Sequence, residues 1–565
     1  MNRKILTLLI FASILTPKLI FSENNQAKSS QAGNLSFRLK RLYNLHEERK
    51  DYSQIAGKSD IQIINNRVLV SIFTKPGITT ADIDEGALEA FGTRIKEKGW
   101  ESMNAEIPIS ELVNVSNAVK DLAYIRPPLR PVEHAVTSEG VALMNADNWQ
   151  DWGYDGTGVT IAVIDLGFDS LSEAQAAGDI PSSYTAHNMT GGGGIETTTP
   201  HGTAVTEAIY DLAPNATYHL YKINNNVNLL AAVNSCIVEG VDIINHSCGW
   251  YNAGGYYDGT GVICAVVDTA INHGMIWVNS AGNSATRHYR AETFVDNGNG
   301  YHIFSVTNDT INPTGPYADG QSVIIHMNWD DYVNWNQDYN LYLAKDTGSV
   351  TPKWILVDSN KNIQDGSSYP PQEDISYTNP DENATYGVLV KKASAAADAD
   401  FTIFSTEQNF DTYIDSSSIS DPASVIDVVT VGAINRVYYN NSGDIIESFS
   451  SRGPRTDGEI KPNVAAPDGC ISHTYGRWYG TSLASPHTAG VCALIKSRYP
   501  SFSDTNTREY LYNNCSVDLG VSGKDNVYGH GKVVMHDIAL EITSPDGGEN
   551  WYVDSTYNIT WISSG

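Results

Sequence analysis

The sequence is poor in cysteine, poor in positive charge and without long apolar runs. Six cysteines in 565 residues make no disulfide scaffold, and none stands in a CxxC zinc spacing. Cys236, Cys248, Cys264, Cys470, Cys492 and Cys515 leave their pairing open; Cys492, inside GVCALI, reads as a buried free thiol. Lys and Arg number 36 against 65 Asp and Glu, a net charge of −29. That field repels nucleic acid and anionic lipid at long range, which sets a nucleic-acid partner aside. Past the N-terminus no stretch reaches the roughly 18 apolar residues of a membrane span. A hydrophobic content of 41% excludes global disorder.

What is present begins with an export signature. Arg3 and Lys4 precede an apolar run from Ile5 to Leu15, so residues 1–22 are predicted to be a signal peptide and the location secreted or cell-surface. Residues 23 to about 60 read as a linker or a loose helix. From about 61 the pattern tightens into an α+β unit: IQIINNRVLVSIF predicts two strands around an Asn-Asn turn. LEAFGTRIKEKG predicts a helix closed by Gly99, WESMNAEIP a strand, and ISELVNVSNAVKDL a second helix. The whole of 23–135 is one leader region, with processing expected within 130–140.

From about 136 the texture changes. GVTIAVIDL, ATYHLYKI, VDIINHSC and MIWVNSAG are short apolar runs that alternate with helical stretches. Buried parallel strands with crossover helices give this signature, so the fold class is α/β with a doubly wound, mostly parallel sheet over 136–290 and 415–540. Between them, 291–414 is rich in Asp, Asn, Tyr and Trp with period-two segments, which predicts an inserted antiparallel β-sandwich. Residues 541–565 show β pattern too short to bury a core, and read as the start of a truncated immunoglobulin-like module. Structural calcium has two candidate loops, 296–301 and the Asp398–Asp400 stretch around 396–401. Neither has a full ligand spacing, so solvated turns are the favoured reading and no metal site is assigned.

Three residues carry chemistry by position. Asp165 ends a buried strand, where a carboxylate wants a cationic partner. His201, in PHGTAVTEAIYDL, starts a helix; that helix end disfavours an imidazolium unless a carboxylate sits beside it. Ser482, in YGTSLASPHTAGVCALI, opens another helix, with Pro486 in its first turn. Its N–H and the helix dipole there favour developing negative charge. Taken singly, Asp165 reads as a turn cap and His201 as an ordinary histidine.

Together, IAVIDLGFD, PHGTAVTEAI and GTSLASPHTAGVCALI, in the order Asp, His, Ser, resemble the subtilisin-like serine peptidases. That order is an established mark of the family. The resemblance covers about 136–290 and 415–540. It implies Ser482 as nucleophile, His201 as general base and acid, and Asp165 as the group orienting His201. Asn283, in WVNSAGNS, matches the oxyanion asparagine. Ser247, Cys248 and Gly249 match the strand that pairs with an extended substrate. Ser280, Ala281 and Gly282 match one wall of the primary specificity pocket, where small residues predict an open pocket for large side chains. His487 belongs to the helix-packing pattern and is not the base. Ala204 stands where a second histidine is common, and Leu483 where methionine is usual.

The resemblance implies polypeptide substrates, no cofactor for catalysis, and the N-terminal unit as an intramolecular propeptide inhibitor. The expected function is a secreted, self-processing serine endopeptidase acting through an acyl-enzyme. Two alternatives remain: a narrow-specificity processing or transpeptidating enzyme, and a non-catalytic binding scaffold.

Overall fold

The computed structural model describes residues 34–49, 61–126, 137–536, 540–544 and 557–563, apart from positions 62, 76–77, 99–101, 350–352, 367–368, 394–397, 442, 444 and 559. The predicted signal peptide, and the expected processing segment up to 136, lie outside these residues. The chain divides into two compact units, Met1–Val132 and Glu133–Gly565.

In the N-terminal unit, Ile63–Ile64, Arg67–Thr74, Ser102–Pro108, Arg94–Lys98 and Leu122–Arg126 form an antiparallel sheet. Asn65 and Asn66, at φ of 49° and 62°, make the tight turn between the first two strands. Two expectations are corrected. Of the two readings of the stretch before 61 the helix holds, as Phe37–Glu47, but it is not loose: Leu39, Leu42 and Tyr43, at i, i+3 and i+4, enter the same core as Val70 and Ile72. The unit therefore starts near residue 34 rather than 61. LEAFGTRIKEKG is not one helix. The helix Glu85–Glu89 stops, Gly92 turns at φ of 71°, and Arg94–Lys98 pairs as an edge strand.

The second unit is built on a nine-stranded, mostly parallel sheet. Its strands in chain order are β1 (Thr160–Asp165), β2 (Thr185–Asn188), β3 (Thr217–Lys222), β4 (Ile243–His246), β5 (Ile276–Ser280), β6 (Val429–Asn435), β7 (Val464–Asp468), β8 (Ser516–Val517) and β9 (Lys532–Val533). Their order across the sheet is β8-β9-β7-β6-β5-β4-β1-β3-β2, and only β8 runs antiparallel to its neighbour. The main helices are α1 (His201–Leu212), α2 (Asn226–Glu239), α3 (Val262–Asn272), α4 (Thr481–Arg498) and α5 (Asp504–Asn514). Helix α4 is buried along nearly its whole length, and its polar side chains there, among them Ser485 and His487, are hydrogen-bonded. It lies close to α1 because Gly490 leaves room for Leu212; a Cβ at 490 would come 2.5 Å from the Leu212 Cβ.

Between β5 and β6 the chain makes two antiparallel sheets of four strands each. One runs His288–Ala291, Phe401–Ser405, Ser322–Trp329, Gln372–Thr378; the other Asn312–Tyr317, Ala384–Lys392, Tyr339–Asp346, Trp354–Asn360. Both feed one apolar core, with Trp329 and Phe401 from the first and Tyr339 and Tyr386 from the second. The first strand begins at His288 because the ladder to Phe404 starts there, slightly before the expected boundary of 291. Asn328 Nδ2 donates to the Gly255 carbonyl (3.2 Å), which ties this insert to the loop after β4. Among the described residues no helix is long and apolar enough to cross a membrane.

Candidate active site

Strand order reverses between β1 and β4, and a doubly wound sheet binds its ligands beyond the carboxyl ends at such a point. Register then sets the neighbours. Val163 pairs with Asn245, and Val278 with Asn245 from the other side. Two residues on, this brings Asp165, Ser247 and Ser280 level at one edge.

Asp165 is fully buried. The Leu166 N–H donates to its Oδ1 (2.8 Å), and its Oδ2 accepts from His201 Nδ1 at 2.8 Å. With the proton on Nδ1, the other ring nitrogen is the free acceptor. Gly202 makes this approach possible: a Cβ there would lie 2.6 Å from the Gly167 carbonyl oxygen and 2.9 Å from the Asp165 Cβ. The His201 side chain keeps 23% exposure. Burial opposes its charge, but the Asp165 carboxylate and its hydrogen bond outweigh that, so His201 titrates above the ordinary imidazole value.

Ser482 is the second residue of α4. Pro486 is the sixth, beyond the first turn in which the sequence placed it. Lacking an N–H, Pro486 leaves the Ser482 carbonyl outside the helix ladder. The Ser247 hydroxyl donates to that carbonyl (3.1 Å), and the Ser482 hydroxyl donates to the Ser247 carbonyl (3.1 Å).

Asn283 Oδ1 accepts from both the N–H (3.0 Å) and the hydroxyl (2.9 Å) of Thr481, which fixes the amide and leaves Nδ2 as donor. Gly480, at φ of 143°, keeps the space beside it open. A Cβ there would stand 3.3 Å from Asn283 Nδ2 and 3.7 Å from the Ser482 nitrogen, so these two donors border one small volume. Among the described residues the Ser482 N–H enters no hydrogen bond.

The substrate-strand candidates lie alongside. Cys248 Sγ is within 4.8 Å of donor atoms of both Asp165 and His201. Burial, with the Asp165 charge, pushes this thiol well above its ordinary value, so it stays protonated. Gly249 is exposed, and its backbone makes no hydrogen bond among the described residues. Asn279 Nδ2 donates to the Cys248 (3.2 Å) and Ser280 (2.9 Å) carbonyls. The Ala281 N–H donates to the Val431 carbonyl (2.9 Å), and the Gly282 N–H to the Thr481 hydroxyl (3.1 Å).

Sequence reasoning missed these braces. Asn245 donates to the Ser247 hydroxyl (3.1 Å) and accepts from the Ser485 hydroxyl (2.9 Å). An asparagine near the end of an otherwise apolar strand, as at 245 and 279, was the available signal. His487 is buried and neutral: Ser138 and the Pro467 carbonyl hold its ring, and burial pushes it down to about 4. In the candidate calcium loops the carboxylates serve nearby groups. Asp296 accepts from the Gly298 and Gly300 N–H groups, Asp398 pairs with Lys392, and Asp400 with Arg290. All six cysteines are free.

The Subtilase family model (peptidase S8) matches residues 156–395 and 411–531. The chain belongs to the subtilase family. This subtilase is similar to the minor extracellular protease Vpr of Bacillus subtilis (strain 168), 22% identical over 496 residues, covering 77% of this chain and 59% of Vpr. Subtilisin E of the same organism is 28% identical over 238 residues, covering 39% of this chain and 56% of subtilisin E. The chain spans a little over half the length of these curated relatives. A solved structure, the Clostridium perfringens CspB protease, shares the fold at a TM-score of 0.51 and 15% identity, over 70% of this chain and 97% of that one.

Proposed function

We propose that this subtilase is a serine endopeptidase, exported and made as a self-processing zymogen. The observation that carries the reading is the buried Asp165 bonded to His201 Nδ1 at 2.8 Å, with Ser482 and Asn283 bordering the same edge. The Ser482 hydroxyl turns from the Ser247 carbonyl to His201 Nε2. Its Oγ bonds to the substrate carbonyl carbon while the proton passes to Nε2. Asn283 Nδ2 and the Ser482 N–H hold the oxyanion. The C–N bond then breaks, Nε2 returns the proton to the leaving amine, and water, activated by the same imidazole, hydrolyses the acyl-enzyme. Catalysis so written uses only side chains, backbone and water.

The extracellular placing of Vpr by its name, and the N-terminal export signature, support secretion. The N-terminal unit precedes the catalytic unit as a separate compact body, which suits a propeptide. The test is intact mass of wild type and Ser482→Ala with and without a fluorophosphonate. Wild type is expected to lose the N-terminal unit and gain one label; Ser482→Ala does neither. An unlabelled wild type that leaves casein intact would sink the proposal.

A further inference from the structure

Two segments converge on Ser482 from either side, and one hydroxyl lies against a glycine of each. Ser247–Gly249 lies on one side, through the paired hydrogen bonds of Ser247 and Ser482. Gly282–Asn283 lies on the other, through Thr481. In the peptidase reading, a residue whose carbonyl oxygen sits between Asn283 Nδ2 and the Ser482 N–H would project its side chain into a slot between these segments. Both glycines meet the same atom there. A Cβ at Gly249 would come 2.7 Å from the Ser420 Oγ, and one at Gly282 would come 3.9 Å from that oxygen and 3.0 Å from the Ser451 Oγ. The hydroxyl of buried Ser420 therefore lies against both glycines.

The floor has a second layer. Tyr251 engages Ser420 and shares a hydrogen bond with the Ser284 hydroxyl at 3.1 Å. The inserted β unit backs Tyr251: His326 stacks on its ring at 5.0 Å and 9°, and Phe404 leans on it at 4.9 Å. His326 is itself held by Asp374 at 2.5 Å, and the same carboxyl oxygen accepts from Asn252 at 2.7 Å. The backbone beside Ser420 is pinned, because the Trp250 N–H binds the next carbonyl, that of Asp421, at 2.7 Å.

We propose that the slot takes only a small residue, Gly, Ala or Ser, immediately before the scissile bond, and that the inserted unit enforces this through His326, Tyr251 and Ser420. This deepens, and rests on, the peptidase reading above. A larger residue must displace a braced, close-packed floor.

The test compares two peptides that differ only in Ala or Phe before the bond. Pocket discrimination of this kind runs to roughly 100-fold. Mature wild type is expected to favour Ala in kcat/KM by about that factor or more. Ser420→Gly is expected to raise Phe relative to Ala by about 10-fold, and His326→Ala by a smaller factor. Wild type that cleaves Phe as well as Ala overturns the proposal, as does an unchanged ratio in Ser420→Gly. If Ser420→Gly does not fold, the cleavage map of casein by wild type decides: cuts after small residues support the slot, and cuts after aromatic residues overturn it. Fluorophosphonate labelling separates the two failures. Labelled enzyme without the preference sinks the slot alone; unlabelled, inactive enzyme sinks the peptidase reading and the slot with it.

Discussion

His201 at the site and two histidines of the inserted β unit are all desolvated, yet they titrate in opposite directions. In the insert, burial pushes His288 and His302 down to about 4. His288 gives its Nδ1 proton to the Ile414 carbonyl, and His302 bridges the Val295 N–H and the Tyr289 hydroxyl. Both rings are neutral packing elements. His201 is desolvated too, yet it is held above the ordinary value because Asp165 faces it. His487 is the internal control: it lies in the same unit as His201, has no carboxylate bonded to its ring, and falls to about 4. The lesson is that burial alone produces an idle ring, and a usable base needs a buried partner of opposite charge. A parallel sheet supplies that partner because neighbouring strands end together at one edge.

The comparison can be broken from the reacting side first. Ser482→Ala leaves the Asp165–His201 pair with nothing to act on. Turnover is expected to fall about 10⁶-fold, the loss that the same removal causes in subtilisin, measured on a peptide with an Ala before the bond. Asp165→Asn converts His201 into a ring of the His487 kind. It is expected to cost about 10⁴-fold in kcat, and NMR titration should find the His201 ring below about 6.5. A variant His201 that still titrates high would contradict the account. Asn283→Ala spares the histidine and removes one oxyanion donor. Its expected cost is about 10²–10³ in kcat with KM little changed; an equal rise in KM would assign Asn283 to ground-state binding instead.

Two pH experiments sharpen the contrast. The base must lose its proton to act, so kcat/KM should rise with pH through an apparent pKa above about 6.5. The smallest effect concerns Glu373, in the insert, whose carboxyl burial pushes up to about 8. A carboxyl raised on folding keeps its proton in the folded state, so its ionisation costs stability as pH rises from about 4 to its folded value. The Tm of Glu373→Gln relative to wild type should therefore grow from pH 5 to about 8 and then level off. A pH-independent difference would show that folding does not raise the Glu373 pKa.

Much of the site was legible because each reactive residue sits in a local chain signal. Asp165 closes an apolar run, His201 follows a proline at a helix start, and Ser482 stands two residues after a glycine. The unit boundaries were legible where period changed, and less so where it did not. Helix Phe37–Glu47 carries so many charges that its three-residue apolar face was overlooked. Arg94–Lys98 continued a helical charge pattern, and only its pairing with Ser102–Pro108 made it a strand. Asn245, Asn279 and Thr481 gave weaker signals, since an amide or hydroxyl in a strand or helix start says nothing of its partner until the chain closes.

Ser280, Ala281 and Gly282 show the same limit most plainly. As a triplet they predict an open slot, and the proposed floor atom belongs to Ser420, on the far side of the insert in sequence. The sequence by itself determined the order Asp165, His201, Ser482, the alternation that makes a parallel sheet, and the place of the interruption, because those are properties of neighbouring residues. The tertiary structure alone decided which histidine carries a raised pKa and which hydroxyl bonds to the carbonyl that Pro486 frees. Those depend on distances between segments 36 residues apart for Asp165 and His201 and 235 apart for Ser247 and Ser482, and only strand register and close packing set them.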